Sequence, residues 1–236
     1  MTEQTQALDR SNLLFSRDAL IRLIVPLIIE QLLLMTVGMA DTVMVTTEAT
    51  VSGVSLVDNI NTLIIQIFSA LSTGGAVVVA QYLGRQETHS AKTAAKQLLY
   101  VMTGISAVLM ILALIFRQHI LSLIFGQVEP AVMDSALVYF LLTAAAYPFM
   151  GIYNAGAALF RAMGNSKVSM INSFIINVIN ILVNAILIFG FGMGAAGAGI
   201  GTLVSRIAAA VIIMVMLRHP GLTVQVDDIF HFEFNG

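Results

Sequence analysis

Residues 26–45 read PLIIEQLLLMTVGMADTVMV. The stretch has the length and apolarity of a membrane crossing, for which about 20 residues suffice. It nevertheless carries two carboxylates, Glu30 and Asp41. They are eleven positions apart. That is three helical turns plus a small rotation, which puts both on one face about 16 Å apart along the axis. Carboxylates inside a membrane are costly and turn toward the bundle interior or a water-filled cavity, so this pair predicts a helix with one face buried in protein.

The rest of the chain has the same solvent. Of its 236 residues, 58% are hydrophobic and 10% charged, with a mean hydropathy of +0.92; a soluble domain carries about 25% charged residues. The chain is therefore an integral membrane protein. It has no cysteine, which excludes disulfides and thiolate chemistry, and its four histidines are scattered without metal-ligand spacing. No basic patch suggests nucleic acid, and no nucleophile, base and orienting group recur at catalytic spacing, so neither an enzyme nor a cofactor is expected. Residues 1–18, MTEQTQALDRSNLLFSRD, lack the apolar core and cleavage site of a secretory signal and read as a cytoplasmic tail.

From Leu23 to Gly84 there is no Lys or Arg, room for two crossings joined by the polar break TTEATVS. The apolar runs predict six spans at about 19–45, 53–81, 98–116, 136–160, 168–190 and 195–217. GRQETHSAKTAAKQ between the second and third reads as a basic loop. HILSLIFGQVEPAVMDSA, after Arg117, is expected to lie along the interface as a short amphipathic segment. Residues 218–236 read as a cytoplasmic linker. Of the eleven basic residues, nine fall on the N-terminal side of this arrangement; Arg117 falls opposite and Arg206 lies within the sixth span. The positive-inside bias then predicts cytoplasmic N- and C-termini in a cell (inner or plasma) membrane. Segments this long and continuously apolar form helices, so the fold class is all-α, a polytopic six-helix membrane bundle.

Polar residues fall into stripes at helical spacing. The fifth span carries Ser169, Ser173, Asn177, Asn180 and Asn184; the second Asp58, Thr62, Gln66, Ser69 and Thr73; the fourth Tyr139, Thr143, Tyr147 and Asn154. Such stripes can be interhelical hydrogen-bond glue, aided by small residues such as Gly38, Gly74, Gly75 and Ala80. Together with Glu30, Asp41 and Asp58 they point instead to a water-filled cavity, lined by these residues and by Gln31 beside Glu30. Arg206 is the only basic residue placed within the membrane to pair with Glu30. Asp41 alternatively snorkels or caps at the outer end of its helix. The thirteen methionines either line a pliable pocket or face lipid and core.

The stretches PLIIEQ and GMADTVMV in the first span, STGGAVVVAQYLGR ending the second, FRAMGNSK after the fourth, and NILVNAILIFG running into GAAGAGIGTLVSR occur in order. With them the chain resembles the multidrug and toxic compound extrusion family along nearly its whole length. The resemblance implies one lobe of a twelve-helix fold, two six-helix lobes related by pseudo-symmetry, that exchanges sodium ions or protons for organic cations and other drugs by alternating access. It also implies roles. Asp41, in the ADT motif, matches the family's cation-coupling acid; Asn180 and Asn184 match paired polar positions of the fifth helix, and Thr202 a threonine of the sixth. Some members carry an aspartate where Asn184 stands. A carboxylate with amide and hydroxyl oxygens would suit a hard cation such as sodium at Asp41.

The chain is expected to be a fragment lacking a second six-helix lobe, the alternative being a half-transporter that dimerises. A flippase for lipid-linked precursors would show more basic residues facing the cavity, where only Arg206 qualifies. A membrane scaffold would use the stripes as interhelical contacts alone.

Overall fold

Thr47 and the glycines mark the helix ends. Thr47 caps α2 (Glu48–Gly84): its side-chain oxygen accepts from the Thr50 amide at 3.3 Å, and it separates α2 from α1 (Arg17–Met44). Gly126, at φ +67°, ends α3 (Thr88–Phe125), and Pro130 opens α4 (Pro130–Ala145). Then come α5 (Tyr147–Ala162), α6 (Ser166–Asn184), which continues as a π-helical turn over Ala185–Gly190, and α7 (Gly194–Leu217). This computed structural model describes residues 17–226, and no strand occurs among the described residues.

Among the described residues five helices are long and apolar enough to cross a membrane, and six spans result when α4 and α5, bent by 47° at Ala146, count as one. Pro148 causes the break: it has no N–H for the carbonyl of Ala144, and its ring crowds that carbonyl. The chain is thus an all-helical multi-pass membrane protein.

Two sequence expectations need correction. No interfacial segment follows Arg117: HILSLIF extends α3 to Phe125 and PAVMDSA begins α4, leaving only a short link between them. The basic loop of residues 84–97 likewise shrinks to a turn, because α3 begins at Thr88 and buries Ala91 and Ala95 one turn apart. Hydropathy measures the lipid-crossing part of a helix, whereas Ala-, Lys- and Gln-rich flanks prolong it into water. The helix α1 also starts at Arg17, inside the expected tail; residues 1–16 lie outside the described residues. Of the expected linker, Arg218–Val226 folds back on the end of α7, with the Val226 amide donating to the Leu217 carbonyl at 3.1 Å and Val224 and Val226 buried in the core. Residues 227–236 lie outside the described residues.

α1 packs on α6 and α6 on α7, while α2 packs on α3, α4 and α5; α7 joins the groups through α4 and α5. The backbones of α2 and α4 approach so closely that a Cβ on Gly53 would stand 2.8 Å from the Val132 carbonyl oxygen. α1 and α2 meet only sparsely. A cavity opens between them, and the outer face of α1 presents Leu32, Met39 and Val43 outward.

Candidate functional site

Asp41 is 1% exposed and ringed by donors from three helices. Tyr139 of α4 donates its hydroxyl to Oδ2 at 2.7 Å, and Thr202 of α7 donates to the same oxygen at 2.5 Å. Asn180 and Asn184 of α6 donate their amide nitrogens to Oδ1 at 3.0 and 2.5 Å. The Asn180 amide also reaches Thr202 Oγ1 at 3.3 Å, and the Asn184 amide reaches Asn180 Oδ1 at 3.4 Å. These bonds place Asp41 in the bundle interior, not snorkelling at a helix end. The four residues that the family resemblance singles out therefore meet at one point. The sequence folds this way because Asn180 and Asn184 are one turn apart on α6, and Gly201 on α7 lets that helix close on them: a Cβ there would collide with Asn184 Oδ1.

A second carboxylate joins the ring. Asp58 Oδ1 lies 2.8 Å from the Tyr139 hydroxyl, and Thr42 donates to Asp58 Oδ2 at 3.4 Å. The hydroxyl has one proton and two short carboxylate contacts, so it serves them one at a time. A cavity of about 80 Å³ lies against this pair and is lined by Asp41, Asp58, Thr62, Tyr139, Thr143, Thr202 and Arg206, with Leu34, Met35, Ile65 and Met150 as apolar walls. Two of the methionines thus do line it.

Other expected lining residues sit elsewhere. Gln31 and Gln66 are exposed outside this cavity. Tyr147 is buried and donates to Asn61 Oδ1 at 3.2 Å. Asn154 donates to the Met150 carbonyl at 2.8 Å, and Asn177 to the carbonyls of Leu33 and Ser173 at 2.8 and 2.9 Å; both act as packing bonds. Asn61, three positions after Asp58 and so on the same helix face, also lines the cavity.

Glu30, 1% exposed, belongs to a separate cluster. It pairs with Arg161 Nη1 at 3.2 Å, not with Arg206, and accepts from Ser169 at 2.7 Å and Tyr153 at 3.3 Å. Tyr153 and Ser173 share a hydrogen bond of 2.7 Å. Arg161, one position past the expected end of the fourth span, occupies the last turn of α5, two four-residue steps beyond Tyr153 on the same face. That spacing was the available signal.

Among the described residues no group of three or more His, Cys, Asp or Glu is placed to hold a metal. Asn180 and Asn184 turn their amide nitrogens toward Asp41. All four neighbours of Asp41 are donors, the complement of a carboxylate.

A sequence profile of the family described as MatE matches residues 26–186. The chain is similar to the probable multidrug resistance protein NorM of Thermotoga maritima, 29% identical over 202 residues that make up 82% of this chain and 43% of that protein. It is similar also to the uncharacterized transporter YisQ of Bacillus subtilis, 28% identical over 217 residues, 88% of this chain and 47% of that protein. The multidrug export protein MepA of Staphylococcus aureus is 23% identical over 177 residues, 75% of this chain and 39% of that protein. Among solved structures, the fold matches a crystal structure of MATE in the bent conformation with a TM-score of 0.85 at 21% identity, covering 92% of this chain and 48% of that one. The chain spans less than half the length of each of these proteins.

Proposed function

The chain belongs to the MatE family, and on that premise we propose that it forms the first six-span lobe of a secondary antiporter that exports drugs or organic cations in exchange for a sodium ion or a proton. The observation that carries this reading is the convergence of Tyr139, Asn180, Asn184 and Thr202 on the buried Asp41, beside a cavity that a second carboxylate shares. A bundle held by packing alone has no use for two carboxylates around one hydroxyl, which is why the scaffold reading is weaker. Asp41 is the coupling acid, and Asn180, Asn184 and Thr202 hold it. A proton enters by displacing one donor, whereas a sodium ion requires the two amides to turn over and present Oδ1.

The partner is a second six-helix lobe, against which this one rocks in alternating access. The bilayer is the cell membrane, with the nine basic residues of the N-terminal side in the cytoplasm. The flippase alternative is disfavoured by the cavity's charge: Arg206 is the only basic residue that lines it, and Arg161 is engaged by Glu30.

The test is Asp41→Asn in the two-lobe protein reconstituted into liposomes, with efflux measured under imposed sodium and pH gradients. Insertion and expression stay near normal, and gradient-driven efflux falls at least about ten-fold, the loss of one charge-assisted interaction. Transport with unchanged sodium and pH dependence would show that Asp41 is a structural residue.

A further inference from the structure

Asp41 has two sides, and the cavity beside Asp58 meets one of them. Tyr139 and Thr202, which hold Oδ2, line that cavity; Asn180 and Asn184, which hold Oδ1, do not. Asn184 is fully buried, and its own Oδ1 has no donor. A bare acceptor in the interior is costly, and a water or a cation is what satisfies it.

A second and larger cavity, of about 460 Å³, lies toward the other end of the bundle, where α1 passes into α2 and where α4 and α7 begin. On the orientation proposed above, these helix ends face away from the nine basic residues of the cytoplasmic side. Its polar lining is the carboxylate of Asp134 and the hydroxyls of Thr46, Thr47, Thr50 and Ser135, with no basic residue among them. Hard oxygen groups of this kind suit a small cation. Asp134 forms no ion pair among the described residues, so its charge is free to concentrate cations at the mouth.

The floor of this outer pocket continues into the ring around Asp41. Ser135 stands one turn before Tyr139 on α4, Ile188 follows Asn184 across the π-helical turn, and Ala195 stands two turns before Thr202 on α7. Val45, one turn beyond Asp41, is buried with Ile188 and Ala198, and these three form a thin apolar layer between pocket and ring. Apolar constrictions gate ions by drying and wetting. The π-helical turn begins directly after Asn184, and such turns recur at functional sites.

Resting on the export reading above, we propose that the outer pocket is the entrance for the coupling cation. Asp134 draws the ion in, the layer of Val45, Ile188 and Ala198 gates it, and it reaches Asp41 from the Oδ1 side at Asn184. The solute keeps to the cavity on the Oδ2 side, so the ion arrives without crossing the space that the solute occupies.

Two measurements test this. The chain has no cysteine, so Ser135→Cys puts a single thiol in the pocket wall. In the 236-residue chain in nanodiscs, the cationic reagent MTSET modifies that thiol about ten-fold faster than the anionic MTSES, each rate being divided by its rate with free cysteine. Asp134→Asn lowers this preference at least about three-fold. Equal normalised rates in the presence of Asp134 overturn the cation entrance.

The route is read in the two-lobe protein, in proteoliposomes loaded with ethidium, with external sodium and pH varied. Asp134→Asn raises the sodium or proton concentration for half-maximal efflux at least about three-fold and leaves the half-saturation for ethidium unchanged, and Asp134→Glu restores the ion value. If efflux responds to the gradients but the ion value does not move, or moves together with the ethidium value, the route is overturned and the export reading stands. Efflux indifferent to both gradients in the unsubstituted protein overturns the export reading and the route with it.

Discussion

Arg161 Nη1 lies 3.2 Å from Glu30 Oε1 and ties the last turn of α5 to α1 across 131 positions of sequence. Glu30 is almost fully buried, whereas Arg161 is partly exposed. Removing the arginine therefore leaves a buried carboxylate with only the hydroxyls of Ser169 and Tyr153. Breaking a buried pair from one side costs about 3–5 kcal/mol, and partial exposure of Arg161 reduces this to about 2 kcal/mol. Arg161→Ala is expected to lower the unfolding midpoint in detergent clearly, and Arg161→Ala with Glu30→Gln to recover part of the loss. Additive losses in that double-mutant cycle would mean that the pair contributes nothing to stability.

Gly201 offers a second test, since a Cβ there would meet Asn184 Oδ1. Gly201→Ala should push Asn184 away from Asp41 and impair gradient-driven efflux by the two-lobe protein about ten-fold, with insertion retained. Gly74→Ala, where a Cβ meets nothing within 4 Å, is the matched control. Equal efflux by the two variants would remove Asn184 from the coupling site.

Topology is checked by fusions. A reporter after Gly126, in the short link that follows α3, should read outside the cytoplasm, and reporters after Gln86 or Lys167 inside. A cytoplasmic signal from the Gly126 fusion would break the six-span count.

Much of this arrangement is legible in the sequence. Ser169, Ser173, Asn177, Asn180 and Asn184 recur at steps of three and four, and all are buried against neighbouring helices. Asp41 and Glu30 share a face of α1 because eleven residues make three turns, and both are buried. Periodicity does not say which neighbour a face meets, so Arg206, the basic residue expected within the membrane, is not the partner of Glu30, whereas Arg161, just past the expected fourth span, is. Gln31 and Gln66 show the opposite failure. Their polarity suggested a cavity, but a long amide is tolerated on an outward face, and composition cannot separate the two. Asn61 lies i+3 from Asp58 and so shares its face, a signal that the row of Asp58, Thr62 and Gln66 passes over.

The partners of α1 also set a timetable. Asp41 is joined by Asn180, Asn184 and Thr202, which lie 139, 143 and 161 positions later, and Glu30 by Ser169, 139 positions later. At about 5–20 residues per second, a ribosome needs roughly 10–30 s to deliver α6 after α1 has emerged. Until then Glu30 lacks Ser169 and Asp41 lacks Asn180, Asn184 and Thr202, and an unsatisfied carboxylate costs about 2.5–3.5 kcal/mol at the centre of a bilayer. An α1 made before α6 is therefore a helix whose polar face is still incomplete, and that face is completed only with synthesis of the fifth and sixth spans.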